Sequence, residues 1–493
     1  MPCAFAAAAA SVPSLQLQVV GSAGALKINQ LGAVADAKRR ALAITRLDLL
    51  LSGFSLQRAE GSWTDANGWH AFFRAEHPGL AQALPGAAPG NYVAARFSVG
   101  VGPQANHADP NRLLPDDPLH PVVNGLHWGW QGGYVFMALE GHWQFDNAPA
   151  GSTGGFSYHL AGDDNKVTVT LPGTLAVRPG TVLRLRLNAS RLLSRVDIAK
   201  DGDATHSRQQ DRVVRALKAG LGQAFALEVI DRQPPAEASA RAGRLPSHRG
   251  RDSQPYPLNI GAHMPSVSLP DDNPLTVSGV ALGAVLFQDR RLSRDASVSC
   301  ASCHRAPYAM ADGGKAVSAG IGGQTGTRNA MPLFNLAWAR EFFWDGRAKG
   351  LRQQALEPIE HPQEMAHALP QVVAKLKADP DMRQRFKQAF NAPISAESIG
   401  LALEQYMLSL VAQDAKFDRV MKNADRFTAA EKRGFDLFLT EHDPSQGLFG
   451  ADCFHCHGGS LFTNQQFLNN GLPPRGNDLG REAVTGHAAD RAP

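Results

Sequence analysis

Two strings decide how this chain is read: Ser299-Cys300-Ala301-Ser302-Cys303-His304 and Cys453-Phe454-His455-Cys456-His457. Four of the five cysteines lie in them. From the composition, one C-x-x-C-H string arises by chance with a probability of roughly 0.002, so a pair is no accident. Two thiols at this spacing reach the two vinyl groups of one haem, and the histidine that follows falls under the iron as its axial ligand. One covalent haem c is therefore expected at Cys300, Cys303 and His304, and a second at Cys453, Cys456 and His457. Four cysteines in two C-x-x-C pairs could instead make a structural zinc site, and one pair alone a redox motif. Neither alternative needs a histidine after both pairs.

Around these strings the pattern is helical. Thr276 precedes Val277, Val280, Ala284 and Phe287 at helical spacing, and Ile399, Leu403, Met407 and Leu410 repeat that period. Thr428-Ala-Ala-Glu431 reads as a capping box ahead of Phe435 and Phe438. Upstream, from about Leu15 to Ile230, the chain reads as strands. Thr181–Asn188 alternates, with Leu183, Leu185 and Leu187 on one face, and shorter runs recur at 42–50, 92–101, 134–140 and 166–171. A Pro-rich stretch without apolar periodicity, beginning at Gln233, separates the halves. The fold class predicted is multi-domain: an N-terminal all-β sandwich followed by mainly α cytochrome c-type domains. The boundaries are 1–24 for a partial leader, 25–232 for the β domain and 233–262 for a linker. Cytochrome units follow at 263–415 and 416–493.

Bulk properties exclude some functions. Net charge is +4 over 493 residues, which gives no argument for nucleic acid and leaves room for a weakly acidic protein partner. No run of about 18 apolar residues is present, so no membrane span is expected in the mature chain. The start, Met1–Ser11, has the small-residue look of a secretory leader but lacks a basic n-region. Cys3 falls within it.

The ordered set of motifs in the second half resembles the bacterial di-haem cytochrome c peroxidase and MauG family. It comprises Asp272–Thr276 (DNPLT), Leu286–Ser293 (LFQDRRLS), the first haem string, Gly326–Ala330 (GTRNA), Phe342–Ala348 (FFWDGRA), Gln354–Met365 (QALEPIEHPQEM) and the second haem string. The resemblance implies that the haem at Cys300, Cys303 and His304 meets hydrogen peroxide, while that at Cys453, Cys456 and His457 relays electrons. It also implies that Trp344 bridges them as a hopping station, that Gln354 and Glu364 are the distal pair, and that Asn329 is a calcium ligand. The residue types suit the chemistry: splitting peroxide moves a proton from the near to the far oxygen, which a carboxylate such as Glu364 can do while Gln354 orients the substrate. Family peroxidases with a distal His ligand carry it three residues before Gln324, where this chain has Ile321. Isoleucine cannot ligate iron, so the first haem is expected to be five-coordinate and high-spin, as in MauG-like enzymes. The chain stops 36 residues after His457, short of the family pattern, so the sixth ligand of the second haem is unassigned and truncation is expected.

The first half resembles MbnP, a copper-binding family whose partner di-haem enzyme oxidises a tryptophan to kynurenine. The residues that carry this are Ile44–Phe54, Phe97–His107, Gly125–Gly141, Phe156–Gly162 and Thr205–Ser207. Copper favours imidazole nitrogen, which makes His107, His120, His127, His159 and His206 candidate ligands and Trp128 or Trp130 the candidate oxidised residue. The function expected is a MauG-like di-haem peroxidase that oxidises a protein tryptophan, with one in its own β domain as a candidate, since tethering raises effective concentration. Two alternatives stay open: an ordinary cytochrome c peroxidase fed by a small cytochrome or cupredoxin, and a copper-binding electron-transfer protein. A periplasmic or cell-envelope location is expected, and a homodimer is an open reading.

Overall fold

The computed structural model describes residues 12–22, 24–28, 30–64, 68–75, 81–114, 116–128, 133–145, 153–205, 207, 211–230, 254–440, 442–443, 447–468, 472, 478–486 and 490–491. The leader region up to residue 11, most of the expected linker, Trp130 and His206 lie outside them. The chain divides into two compact units. One comprises Met1–Leu113, Asp117–Ser239 and Leu437–Asn464; the other comprises Leu114–Asp116, Ala240–Asp436 and Gln465–Pro493. The expected 416–493 cytochrome unit is thus split, and the second haem string belongs to the β-rich unit.

The β-rich unit is a sandwich of two sheets over one apolar core. The larger sheet is built on the long strand Ala41–Gln57, flanked by Gly90–Val99 on one side and Val135–Gln144 on the other. Val167–Val177 and Thr153–Ala161 continue it outward. The smaller sheet places Ser14–Gly21 beside Val182–Asn188 in parallel register, pairing Leu15 with Leu183, Leu17 with Leu185 and Val19 with Leu187. Alternation sends those leucines inward to meet Leu49, Phe97 and Leu139 from the other sheet. A helix, Arg212–Ala224, buries Val213, Val214, Leu217 and Leu221 against the same core. It departs from the all-β expectation, and its apolar residues recur at helical rather than strand spacing.

The helical unit is anchored by Val277–Gln288 packed on Ala396–Leu408. Glycines let the two helices approach closely: a Cβ on Gly283 would lie 2.0 Å from the Ala402 carbonyl oxygen, and one on Gly279 would lie 2.1 Å from Gln405 Oε1. Thr276 caps the first helix by accepting from the Gly279 amide at 3.0 Å. Behind it, buried Asn273 donates to Glu404 Oε2 at 2.7 Å and accepts from Gln405 Nε2 at 2.7 Å. Arg352 joins Glu404 to Asp272. The DNPLT string therefore locks these helices together with a satisfied polar network. Helix Ala429–Leu439 begins with the expected capping box: the Thr428 amide donates to Glu431 Oε2 at 2.7 Å, and the Glu431 amide donates to Thr428 Oγ1 at 3.3 Å. Among the described residues no helix is long and apolar enough to cross a membrane.

Candidate functional site

Cys300 and Cys303 sit on a single helical turn, Cys300–Cys303, which puts both thiols on one side. His304 caps it, and its Nδ1–H donates to the Met310 carbonyl at 2.8 Å. That bond fixes the tautomer and leaves the Nε2 lone pair for a metal. The turn that delivers the carbonyl is unusual: Ala309 and Met310 both have positive φ, 55° and 60°, a left-handed conformation that costs about 1–3 kcal/mol for each such residue. Burial holds the His304 imidazole below its usual range, opposed by the Met310 and Met331 carbonyls and then by the charge of Asp312. Burial pushes the Cys300 thiol up to about 12.

The second string repeats the device. Cys453–His455 forms a short 3-10 turn, and His457 Nδ1 donates to the Phe462 carbonyl at 3.1 Å, with Phe462 again at positive φ (54°). Both strings therefore present an oriented imidazole beside a C-x-x-C pair, which fits covalent haem c.

In the same unit, helix Leu351–Glu360 carries Gln354, whose Oε1 is buried without a hydrogen-bond partner among the described residues. Such an orphan fits a site completed by a bound group or substrate. Just beyond the helix the chain doubles back: the Glu364 amide donates to the His361 carbonyl at 3.0 Å, and the Glu364 carbonyl accepts from the Ile321 amide at 2.7 Å. Gly320 is pressed so closely on this strap that a Cβ would lie 2.1 Å from the Gln363 carbonyl oxygen. Ile321, only 3% exposed, thus packs against the Glu364 backbone. The Glu364 carboxyl is pushed up from its ordinary value, by burial first and by Glu357, while His361 and Arg347 pull it back.

Trp344 is 44% exposed, and its indole N–H donates to the Asn329 carbonyl at 3.0 Å. These two expected residues are brought together, but the contact is to the backbone of Asn329. Calcium takes about 6–8 oxygens, and among the described residues no group of three acidic, His or Cys side chains gathers to hold a metal. Among the described residues the copper candidates gather into no metal cluster, and His206 lies outside those residues. His107 is exposed and pairs with Asp163 at 2.9 Å. His120 caps a short helix by accepting from the Val122 amide, and His127 stacks edge-on to Tyr134, where burial lowers its pKa to about 4. His159 Nε2 meets Glu140 Oε1 at 2.9 Å.

One convergence does occur within the β-rich unit. The Trp128 ring lies 6.2 Å from Phe454 and 5.3 Å from His455 between centroids, both residues inside the second C-x-x-C-H string. His159 stacks on His455 at 5.8 Å and 22°. The sequence reading missed Phe454 and His455 as anything but spacers. It also missed Asp312, 1% exposed with Lys315 at 3.3 Å as its ion-pair partner, and His361, whose Nδ1 lies 3.5 Å from Glu364 Oε1. The only signal for His361 was its place three residues before Glu364.

The fold and the paired strings define a c-type haem protein of two haem sites joined to a β sandwich. The sequence profile of the di-haem cytochrome c peroxidase family matches residues 277–426, and that of the MbnP family matches residues 13–208. Methylamine utilization protein MauG of Methylorubrum extorquens is 38% identical over 263 residues, covering 53% of this chain and 69% of that protein. Cytochrome c peroxidase Ccp of Escherichia coli is 33% identical over 265 residues, covering 52% of each chain. A solved MauG-like protein associated with microbial copper homeostasis is 29% identical, with 48% of this chain and 74% of that chain covered and a TM-score of 0.42. MbnP from Methylosinus trichosporium is 18% identical, with 44% and 98% covered and a TM-score of 0.31. The chain belongs to the di-haem cytochrome c peroxidase family, a family of oxidoreductases, and carries an MbnP-type domain ahead of the peroxidase region. It spans between about half and two thirds of the length of these two curated relatives.

Proposed function

We propose that the chain uses hydrogen peroxide to oxidise a tryptophan of its own β-rich unit, and that Trp128 is that residue. The observation that carries the reading is the packing of Trp128 on Phe454 and His455 of the second haem string. Reduction of one peroxide to two waters takes two electrons and two protons; the indole gives up both as it takes one oxygen from water, so each peroxide leaves one hydroxylated tryptophan and a net one water. When bound, haem c at each string supplies a redox-active iron.

The chain's residues supply the rest. His304 and His457, oriented through their Nδ1 atoms, would hold iron through Nε2. Gln354, whose buried Oε1 has no partner among the described residues, orients the substrate. Glu364 takes a proton from the near peroxide oxygen and returns it to the far one. Ile321 sets an aliphatic side chain where a ligating histidine would close the site. Trp344 offers an oxidisable indole, held by the Asn329 carbonyl. Covalent haem attachment supports a periplasmic or cell-envelope location.

The test uses full-length, haem-loaded protein treated with peroxide. Fragment-ion mass spectrometry is expected to find an oxygen-derived mass gain at Trp128 that Trp128→Phe lacks. An unmodified Trp128 alongside rapid consumption of reduced cytochrome c would favour the ordinary cytochrome c peroxidase reading, to which the likeness to the Escherichia coli enzyme also speaks.

A further inference from the structure

His361 ends the helix that carries Gln354, and its amide donates to the Glu357 carbonyl at 3.0 Å. Its carbonyl then accepts from both the Glu364 and Ala366 amides at 3.0 Å, with Ala366 at positive φ (49°). This tight turn fixes the two side chains toward each other. His361 Nδ1 lies 3.5 Å from Glu364 Oε1 and makes no hydrogen bond elsewhere among the described residues. No other ion pair or side-chain hydrogen bond joins the Glu364 carboxylate there. Both side chains keep a solvent-facing part, 42% and 44% exposed.

We propose that His361 is a positioning residue for Glu364, holding its carboxylate in place and in its charged form at the peroxide site. The proposal deepens the reading of Glu364 as the acid–base group and rests on it. Other charges face the pair. Arg347, which ion-pairs with Asp345 and Glu357, adds a second positive charge, and Glu357 on the helix opposes it. Cys300 and Cys303 also feel the Glu364 charge, and haem attachment removes both thiols from titration. The Gly320–Gly323 turn packed against Glu364 brings no charged group. His361 is therefore the positive charge whose removal leaves Arg347, already shared between two carboxylates, as the remaining support.

Cyanide binding to the resting haem-loaded protein reads this directly, since hydrogen cyanide must give its proton to a nearby base as it binds. The binding rate of the unmodified protein should fall toward acid with a limb set by Glu364. In His361→Gln that limb should move to higher pH by about half a unit to one unit, the effect of losing one nearby opposite charge on partly exposed groups. His361→Arg, which keeps a positive charge, should restore it. Superimposable profiles for His361→Gln and the unmodified protein overturn the pairing while Glu364→Gln still abolishes the limb. A limb that persists in Glu364→Gln overturns the acid–base role, and the pairing with it. Haem content and thermal midpoint of each variant separate these outcomes from misfolding.

Discussion

Replacing Glu364 by glutamine isolates the proton-transfer step, because the backbone rather than the side chain holds the strap around it. The amide donates to His361 and the carbonyl accepts from Ile321, and both bonds survive the substitution. The side chain loses only a 3.5 Å contact to a half-exposed imidazole, so stability should change by no more than about 0.5 kcal/mol. The chemistry should suffer far more. General acid–base catalysis contributes about 10²–10⁴-fold, which is about 3–5 kcal/mol of barrier at about 1.36 kcal/mol per tenfold change. The assay is stopped-flow absorbance of the ferric protein mixed with peroxide, beside a thermal melt. The carboxylate that accepts the proton is populated only above its raised pKa, so the unmodified protein should lose rate as pH falls through that value, and Glu364→Gln should show no such limb. A rate within threefold of the unmodified protein, at unchanged melting temperature, would refute the role given to Glu364.

Ile321→His tests the open iron. It should convert high-spin ferric signal at the first haem to low-spin and slow the peroxide reaction; an unchanged electron paramagnetic resonance spectrum would show that the position does not face the metal. Glu140 offers a pH test in the β-rich unit. Burial pushes its carboxyl up, but the His159 hydrogen bond and the Arg46 charge outweigh that and bring it down to about 2. A depressed folded-state pKa means stability that is present above the ordinary value of 4.5 and lost as pH falls toward about 2. The loss should amount to about 3 kcal/mol, and Glu140→Gln should flatten the acid side of the unfolding curve. An identical acid profile in the variant would count against the Arg46–Glu140–His159 cluster as a source of stability.

Much of this was legible in the residues because it is periodic or local. Alternation in Thr181–Asn188 matched a strand whose leucines face the core, and the capping residues Thr276 and Thr428 marked true helix starts. The C-x-x-C-H spacing carried its own geometry. What the sequence did not reveal depends on chain reversal or long-range packing. The carbonyls that orient His304 and His457 come from turns at positive φ, and nothing in Met310 or Phe462 as residue types signals that conformation. Trp128 and His455 are 327 positions apart, so no local pattern could predict their contact. The helix Arg212–Ala224 was absorbed into a β reading because the strands on either side dominated the pattern.

The account depends above all on two covalently attached haems, and the pyridine haemochrome spectrum of full-length protein, made in a host that matures c-type cytochromes, tests that most directly. It should show c-type bands equivalent to two haems per chain, falling to one when Cys300 and Cys303 are both replaced by alanine. Protein that emerges colourless, or with zinc at the cysteines, would contradict it.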